Sequence, residues 1–169
     1  STTRRSANIS RRLLIRAAQQ KTIPIVNYND PVSDEENRKM ELAIRRSHGD
    51  QVVECVDNDE TAAVIANLVH AKKLVLMTST EGIYRDPADP KTLVEQVTAK
   101  SMEELEEKVR QLQESCVGAS RAGANGAKAK LEYALKSARQ GTMVIIGHAR
   151  HRLSDLVEGR VACTRIGLE

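Results

Sequence analysis

Apolar positions along the chain change their period several times, and each change marks an element. Leu13, Leu14 and Ala17 share one helical stripe with Asn8 or Ser10 placed to cap it, so a first helix is expected to about Gln20. Thr22-Ile23-Pro24-Ile25-Val26 is β-branched and reads as a short strand, with its proline near the start. The polar loop Asn27-Tyr28-Asn29-Asp30-Pro31 follows. A charged helical stretch opens at Asp34, runs through Met40, Leu42, Ile44 and Arg46, and closes at His48-Gly49; 51–56 reads as a short strand or extended connection. The apolar run from Ala62 to Val69 predicts a helix, and Lys73-Leu74-Val75-Leu76-Met77-Thr78 a strand.

The second half is more regular. Asp86-Pro87-Ala88-Asp89-Pro90 is a turn-rich loop, and 93–97 predicts a strand. Ser101-Met102-Glu103-Glu104 has the spacing of a capping box, with Met102, Leu105, Val109 and Leu112 as the buried stripe behind it. A flexible small-residue stretch over 118–126 leads into a helix over 127–140, which Gly141 ends. Thr142-Met143-Val144-Ile145-Ile146-Gly147 reads as a fully buried strand, followed by a brief helix over 153–157 and a last strand over 161–166. Strands alternate with helices, and the run at Ile146 is apolar on both faces. That combination predicts an α/β three-layer sandwich with a mainly parallel sheet.

Composition narrows the functions open to such a fold. Of 169 residues 40% are hydrophobic but only 2% aromatic, with no Phe or Trp, so the core is aliphatic and offers no platform for stacking bases. A net charge of +3 is too small to imply nucleic acid or a membrane surface. The basic start (Arg4, Arg5, Arg11, Arg12, Arg16 and Lys21) fits a solvated helix face, although such a segment also suits RNA or anionic lipid. Cys55, Cys116 and Cys163 are far apart and odd in number, which favours a reducing compartment and argues against a zinc site. The expectation is a cytoplasmic protein with no membrane, nucleic-acid or metal-cage partner.

Candidate chemistry sits where parallel sheets bind ligands, beyond the C-terminal ends of strands. Three polar clusters fall in such loops: 27–30, 78–84 and 147–151. His148 and His151, flanking Arg150, read as surface residues rather than metal ligands. Asp57-Asn58-Asp59, just before the apolar run, suits helix capping as well as ligand binding. Gly123-Ala124-Asn125-Gly126-Ala127-Lys128-Ala129-Lys130 leads into a helix N-terminus, where lysines oppose the dipole unless an anion sits between them. Two solvated lysines in a small-residue loop describe that segment equally well.

These motifs, in this order, resemble the amino-acid kinase superfamily, and most closely its gamma-glutamyl kinases (glutamate 5-kinases). Asn27-Tyr28-Asn29-Asp30 is similar to the family's Asn-Glu-Asn-Asp loop, and Asp57-Asn58-Asp59 to its Gly-Asp-Asn-Asp segment. Thr78-Ser79-Thr80-Glu81-Gly82-Ile83-Tyr84 resembles Thr-Asp-x-x-Gly-Leu-Tyr, with Asp86-Pro87 following as in the family. The 123–131 segment resembles Gly-Thr-Gly-Gly-Met-x-Thr-Lys-Leu, and Thr164-Arg165-Ile166 the closing Gly-Thr strand. The resemblance implies transfer of the ATP γ-phosphoryl group to a carboxylate, with glutamate as the first candidate. Asn27, Asp30 and Asn58 would hold the amino acid, Asp59 would orient catalytic lysines, and Lys130 would neutralise the migrating phosphoryl. Thr78, Ser79, Gly82, Tyr84, Gly123, Asn125, Gly126 and Lys128 would cradle ATP, with Mg²⁺ bridging its phosphates and no metal held by protein ligands alone.

The sequence also departs from the pattern. Tyr28 replaces Glu, Ser79 Asp, Asn125 Gly, Ala127 Met and Cys163 Gly, and the family's two earlier glycine loops have no counterpart. The expectation is a single domain over 1–169 that lacks its N-terminal part and is inactive alone, within a homo-oligomeric enzyme. A nucleoside-monophosphate kinase of the same superfamily and a non-catalytic nucleotide- or amino-acid-binding module are the alternatives.

Overall fold

The structure, a computed structural model, describes residues 2–26, 58–119 and 124–169. The chain divides into two compact units, Ser1–Val69 and His70–Glu169.

The first unit contains helices α1 (Thr2–Gln19) and α2 (Asn58–Val69). Helix α1 begins ahead of Asn8 and Ser10, so neither is its cap. Its end is closed by backbone bonds from Gln20 to Arg16 O and from Thr22 to Ala17 O, both 3.0 Å, around a left-handed Lys21 (φ 54°). The strand expected over 22–26 does not form. Pro24 lacks an N–H, and no described strand takes up the remaining backbone groups, leaving Ile23 and Ile25 90% and 95% exposed. Helix α2 starts four positions before the apolar run because Asp59 and Glu60 suit the positive end of the helix dipole. Arg11 Nε donates to Leu68 O (3.1 Å), supplying a partner for a carbonyl in the last turn of α2. The helix expected from Asp34 and the extended segment over 51–56 lie outside the described residues.

The second unit is a sheet clad on both faces. Its strands are β1 (Lys73–Thr78), β2 (Gln96–Ala99), β3 (Met143–His148) and β4 (Thr164–Leu168), in the order β1-β3-β4-β2. The pairs β1/β3 and β2/β4 are parallel, and β3/β4 is antiparallel. Helices α3 (Met102–Ala119) and α4 (Ala124–Ala138) contact β2, β3 and β4, while the short α5 (Leu153–Glu158) contacts β1 and β3. Side chains alternate across a strand. Ile145 packs with Leu156 and Cys163 on the α5 face, so Val144 and Ile146 point to the α3/α4 face together with Ile166, the β4 partner of Val144. All four of these β3 and β4 side chains are fully buried. This is the three-layer arrangement that the sequence predicts.

Local chemistry explains the boundaries. Ser101 Oγ accepts from Glu104 N–H (3.2 Å), while the Glu104 carboxylate reaches back to the N–H of Lys100 rather than that of Ser101 (3.4 Å). Leu105, Val109, Leu112 and Cys116 form the buried stripe of α3, with Met102 only half-buried. Much of the expected flexible stretch over 118–126 is helical, since α3 runs to Ala119 and α4 starts at Ala124. The strand expected over 93–97 is displaced to Gln96–Ala99: Leu93 bridges Tyr84, and Val94 N–H donates to Ile83 O (2.9 Å), so these positions serve the preceding loop. Likewise β4 starts at Thr164, three residues after the expected onset. Gly141 (φ 80°) and Gly159 (φ 71°) end α4 and α5 in the left-handed region.

Candidate functional site

Parallel pairing brings the C-terminal ends of β1 and β3 together, with Thr78 opposite His148. Ile146 is paired with Thr164, so the start of β4 reaches the same end of the sheet. The 78–84 loop therefore emerges onto a floor made by three strands.

The loop is held by its own polar groups. Thr80 N–H donates to Thr78 Oγ1 (2.9 Å), and Thr80 Oγ1 donates to Gly82 O (3.1 Å), which closes two tight turns. Gly82 lies flat on β4, where a Cβ would collide with Thr164 Oγ1 and come within 2.9 Å of Thr164 N. The fully buried Thr164 hydroxyl accepts from Ile83 N–H (2.8 Å), satisfying a donor that no water reaches. Tyr84 is half-buried, and its carbonyl accepts a long bond from Cys116 Sγ (3.3 Å). Burial pushes the Cys116 thiol above its ordinary range, so it stays protonated and donates. Ser79 is exposed.

Beyond Tyr84 the chain is locked by Asp86, Asp89 and Thr92. Asp86 Oδ1 accepts from Ala88 N–H and Asp89 Oδ1 from Lys91 N–H, both 2.9 Å, and Thr92 Oγ1 accepts from Asp86 N–H (3.0 Å). The Asp86-Pro87 segment thus works as a turn.

Helix α4 presents the second group. Gly126 and Lys128 are exposed and Lys130 is half-buried, all within its first two turns, where there is no acidic side chain. Gln113 Nε2 donates to Lys128 O (3.2 Å), one turn of α3 before Cys116 meets the Tyr84 carbonyl. Residues three apart on a helix are neighbours. The last turns of α3 therefore bring the beginning of α4 and the Tyr84 end of the loop to adjacent places. A Cβ at Gly126 would meet nothing within 4 Å, so its own surroundings do not demand a glycine there. Asn125 is in the first turn of α4.

The acidic candidates belong to the other unit. Asn58 opens α2 and is exposed; Asp59, half-buried, occupies its first turn. Asn27, Asp30 and Gly123 lie outside the described residues.

Four residues of the loop's surroundings were not assigned a role by sequence reasoning: Glu81, Arg150, His151 and Thr164. Glu81 accepts from His151 Nε2 (2.6 Å) and pairs with Arg150. Thr164 had a visible signal in the likeness of 164–166 to a family strand. Glu81 had none, because a charged residue before a turn glycine reads as solvated.

The model of the family described as "Amino acid kinase family" matches residues 1–148. The chain belongs to the amino acid kinase family. Glutamate 5-kinase from Geobacillus kaustophilus is 33% identical over 149 residues, covering 86% of this chain and 34% of that protein. Acetylglutamate kinase from Methanopyrus kandleri is 46% identical over 59 residues, covering 35% of this chain and 24% of its own length. Carbamate kinase from Giardia lamblia bound to AMP-PNP has the same fold, with a TM-score of 0.52 at 19% identity over 71% of this chain and 34% of that one. The chain spans about a third of the length of the glutamate 5-kinases it matches. None of the helices among the described residues is long and apolar enough to cross a membrane.

Proposed function

We propose that this chain is the nucleotide-binding part of an ATP-dependent kinase that phosphorylates a carboxylate of a small amino acid, with glutamate the first candidate. The observation that carries the proposal is the seating of the 78–84 loop on Thr164 at the β1/β3 edge, with the lysine-bearing start of α4 brought beside it by α3. The similarity to glutamate 5-kinases supports the choice of acceptor.

In this reading a carboxylate oxygen of the acceptor attacks the γ-phosphorus in line. A new O–P bond forms, the bond to the β-phosphate oxygen breaks, and ADP leaves with the electron pair. Such transfers depend on positioning and charge stabilisation more than on covalent catalysis. Lys130 is the candidate to offset charge on the migrating group, and Asp59 to orient the lysines. Thr78, Ser79, Gly82, Tyr84, Asn125, Gly126 and Lys128, with Gly123, are assigned to the nucleotide, and Asn27, Asp30 and Asn58 to the amino acid.

No group of three or more His, Cys, Asp or Glu side chains that could hold a metal occurs among the described residues. The cofactor assigned in this reading is Mg²⁺, which retains waters and is commonly bound through substrate phosphates with one or two carboxylates. When bound, the ion would offset negative charge on the phosphates, the chemistry assigned here also to Lys130. A homo-oligomer in the cytoplasm is part of the proposal.

The decisive experiment measures ADP release by the full-length protein with glutamate, UMP and other acceptors. Glutamate-dependent turnover is expected, falling about 100-fold or more in a folded Lys130→Ala variant, the scale on which loss of one stabilising group acts. Turnover on UMP alone would move the acceptor to a nucleotide. AMP-PNP binding without turnover on any acceptor would favour a binding module, which the replacements Ser79 and Ala127 already suit. The 169-residue chain alone is expected to release no ADP.

A further inference from the structure

Two loops leave the sheet side by side at the C-terminal ends of β1 and β3, and they are joined by more than backbone. Ala149 N–H donates to Thr78 O (2.8 Å), extending the β1/β3 ladder one step beyond the strands. Farther out, Glu81 spans the gap: one carboxylate oxygen accepts from His151 Nε2 at 2.6 Å and the other pairs with the Arg150 guanidinium. The receiving loop is itself fixed. Arg150 N–H donates to His148 Nδ1 (3.0 Å), His151 N–H donates to His148 O (3.1 Å), and the two imidazoles meet edge to face with centroids 6.3 Å apart.

We propose that Glu81, clamped by His151 and Arg150, is a positioning residue that holds the 78–84 loop in its nucleotide-binding form. The inference rests on the nucleotide reading of that loop. Most crystallographic ion pairs are exposed, adaptable and energetically slight. The Glu81 carboxylate differs in burial, being only 16% exposed, and in having both oxygens engaged, one by the 20% exposed His151 and the other by Arg150, which is 63% exposed. It also differs in location. Glu81 stands directly before Gly82, whose contact with Thr164 tolerates no Cβ, and two positions after the exposed Ser79. Release of Glu81 would leave the loop with its internal Thr80 bonds and its tethers at Thr78 and Gly82–Ile83, but without the side-chain tie that fixes it to the 148–151 loop.

The test is AMP-PNP affinity by calorimetry on the full-length protein, with loop amide exchange read in parallel. Glu81→Ala and His151→Ala are each expected to weaken AMP-PNP about tenfold and to speed exchange at 80–84, with the unfolding transition shifted little. His151→Gln, which keeps a donor near the Nε2 position, is expected to restore most of the affinity. The double variant is expected to bind no more weakly than Glu81→Ala, because that change alone already removes the carboxylate that His151 and Arg150 share. Folded variants that bind as the parent does, or losses that multiply in the double variant, would overturn the clamp and leave the nucleotide reading intact. A parent that binds no AMP-PNP would overturn both. Unchanged exchange at 80–84 in His151→Ala would overturn the clamp without reference to nucleotide.

Discussion

Gly82 acts through the space it leaves and not through a left-handed backbone, since the left-handed glycines among the described residues are Gly141 and Gly159. What Gly82 supplies is the absence of a side chain over Thr164, whose hydroxyl then reaches Ile83 N–H. No local pattern reveals that pairing, because the partners are 81 positions apart. Three substitutions separate the contributions. Thr164→Val keeps the shape but strips the acceptor from a buried donor, and a loss of about 1–3 kcal/mol in unfolding free energy is expected. Thr164→Ser retains the acceptor and should lose less. Gly82→Ala forces a methyl against the β4 backbone and is expected to cost a comparable about 1–3 kcal/mol. Urea denaturation of the four proteins decides the matter. A Thr164→Val variant as stable as its parent would sink the role given to the hydroxyl.

At the scale of elements, legibility followed how local the cause was. Helix α3 was readable because its start depends on Ser101 and Glu104, three residues apart, and its buried face on the spacing of Leu105, Val109 and Leu112. The strand over 22–26 failed for the opposite reason: β-branched residues favour a strand only where another strand supplies partners. The helix start also carries a pH dependence. The Glu104 carboxyl lies below its ordinary range, chiefly through a hydrogen bond from Lys108 and then one from Lys100 N–H. A depressed folded-state value contributes stability above the ordinary carboxylate range and loses it as pH falls through that folded value. The difference in melting temperature between the parent and Glu104→Gln should therefore shrink from neutral pH to about pH 3, below the ordinary glutamate range. Ser101→Ala removes a hydroxyl that does not titrate. Its cost of about 1 kcal/mol should survive at both pH values. A Glu104→Gln difference that is the same at pH 7 and pH 3 would show that the carboxylate contributes through something other than its charge.

For the whole molecule, the aliphatic composition sets where stability resides. Without Phe or Trp, the second unit builds its core from branched side chains on β3 and β4, with Leu105, Val109 and Leu131 from the α3/α4 layer and Leu156 from α5. The continuous apolar run at 143–146 made β3 legible as a strand covered on both faces. The strand order was not legible. It puts β4, the last strand in the chain, between β3 and β2, so β4 runs antiparallel to β3 while remaining parallel to β2. That order is also what delivers Thr164 to the loop, so the core strands and the candidate site share their supports. Ile146 tests the link, since it is fully buried and paired with Thr164 across the β3/β4 ladder. Ile146→Ala leaves a cavity beside that pair and is expected to lower unfolding free energy by about 2–5 kcal/mol. The denaturant midpoint should fall with little change in slope, as for a pure stability effect. Amides of Ile146 and Ile166 should be among the slowest to exchange in the parent and should accelerate in the variant, together with Ile83, whose N–H depends on Thr164. If Ile146 and Ile166 accelerate while Ile83 does not, the 78–84 loop takes its order from its own turns and from Glu81, and the sheet beneath it serves only as a floor.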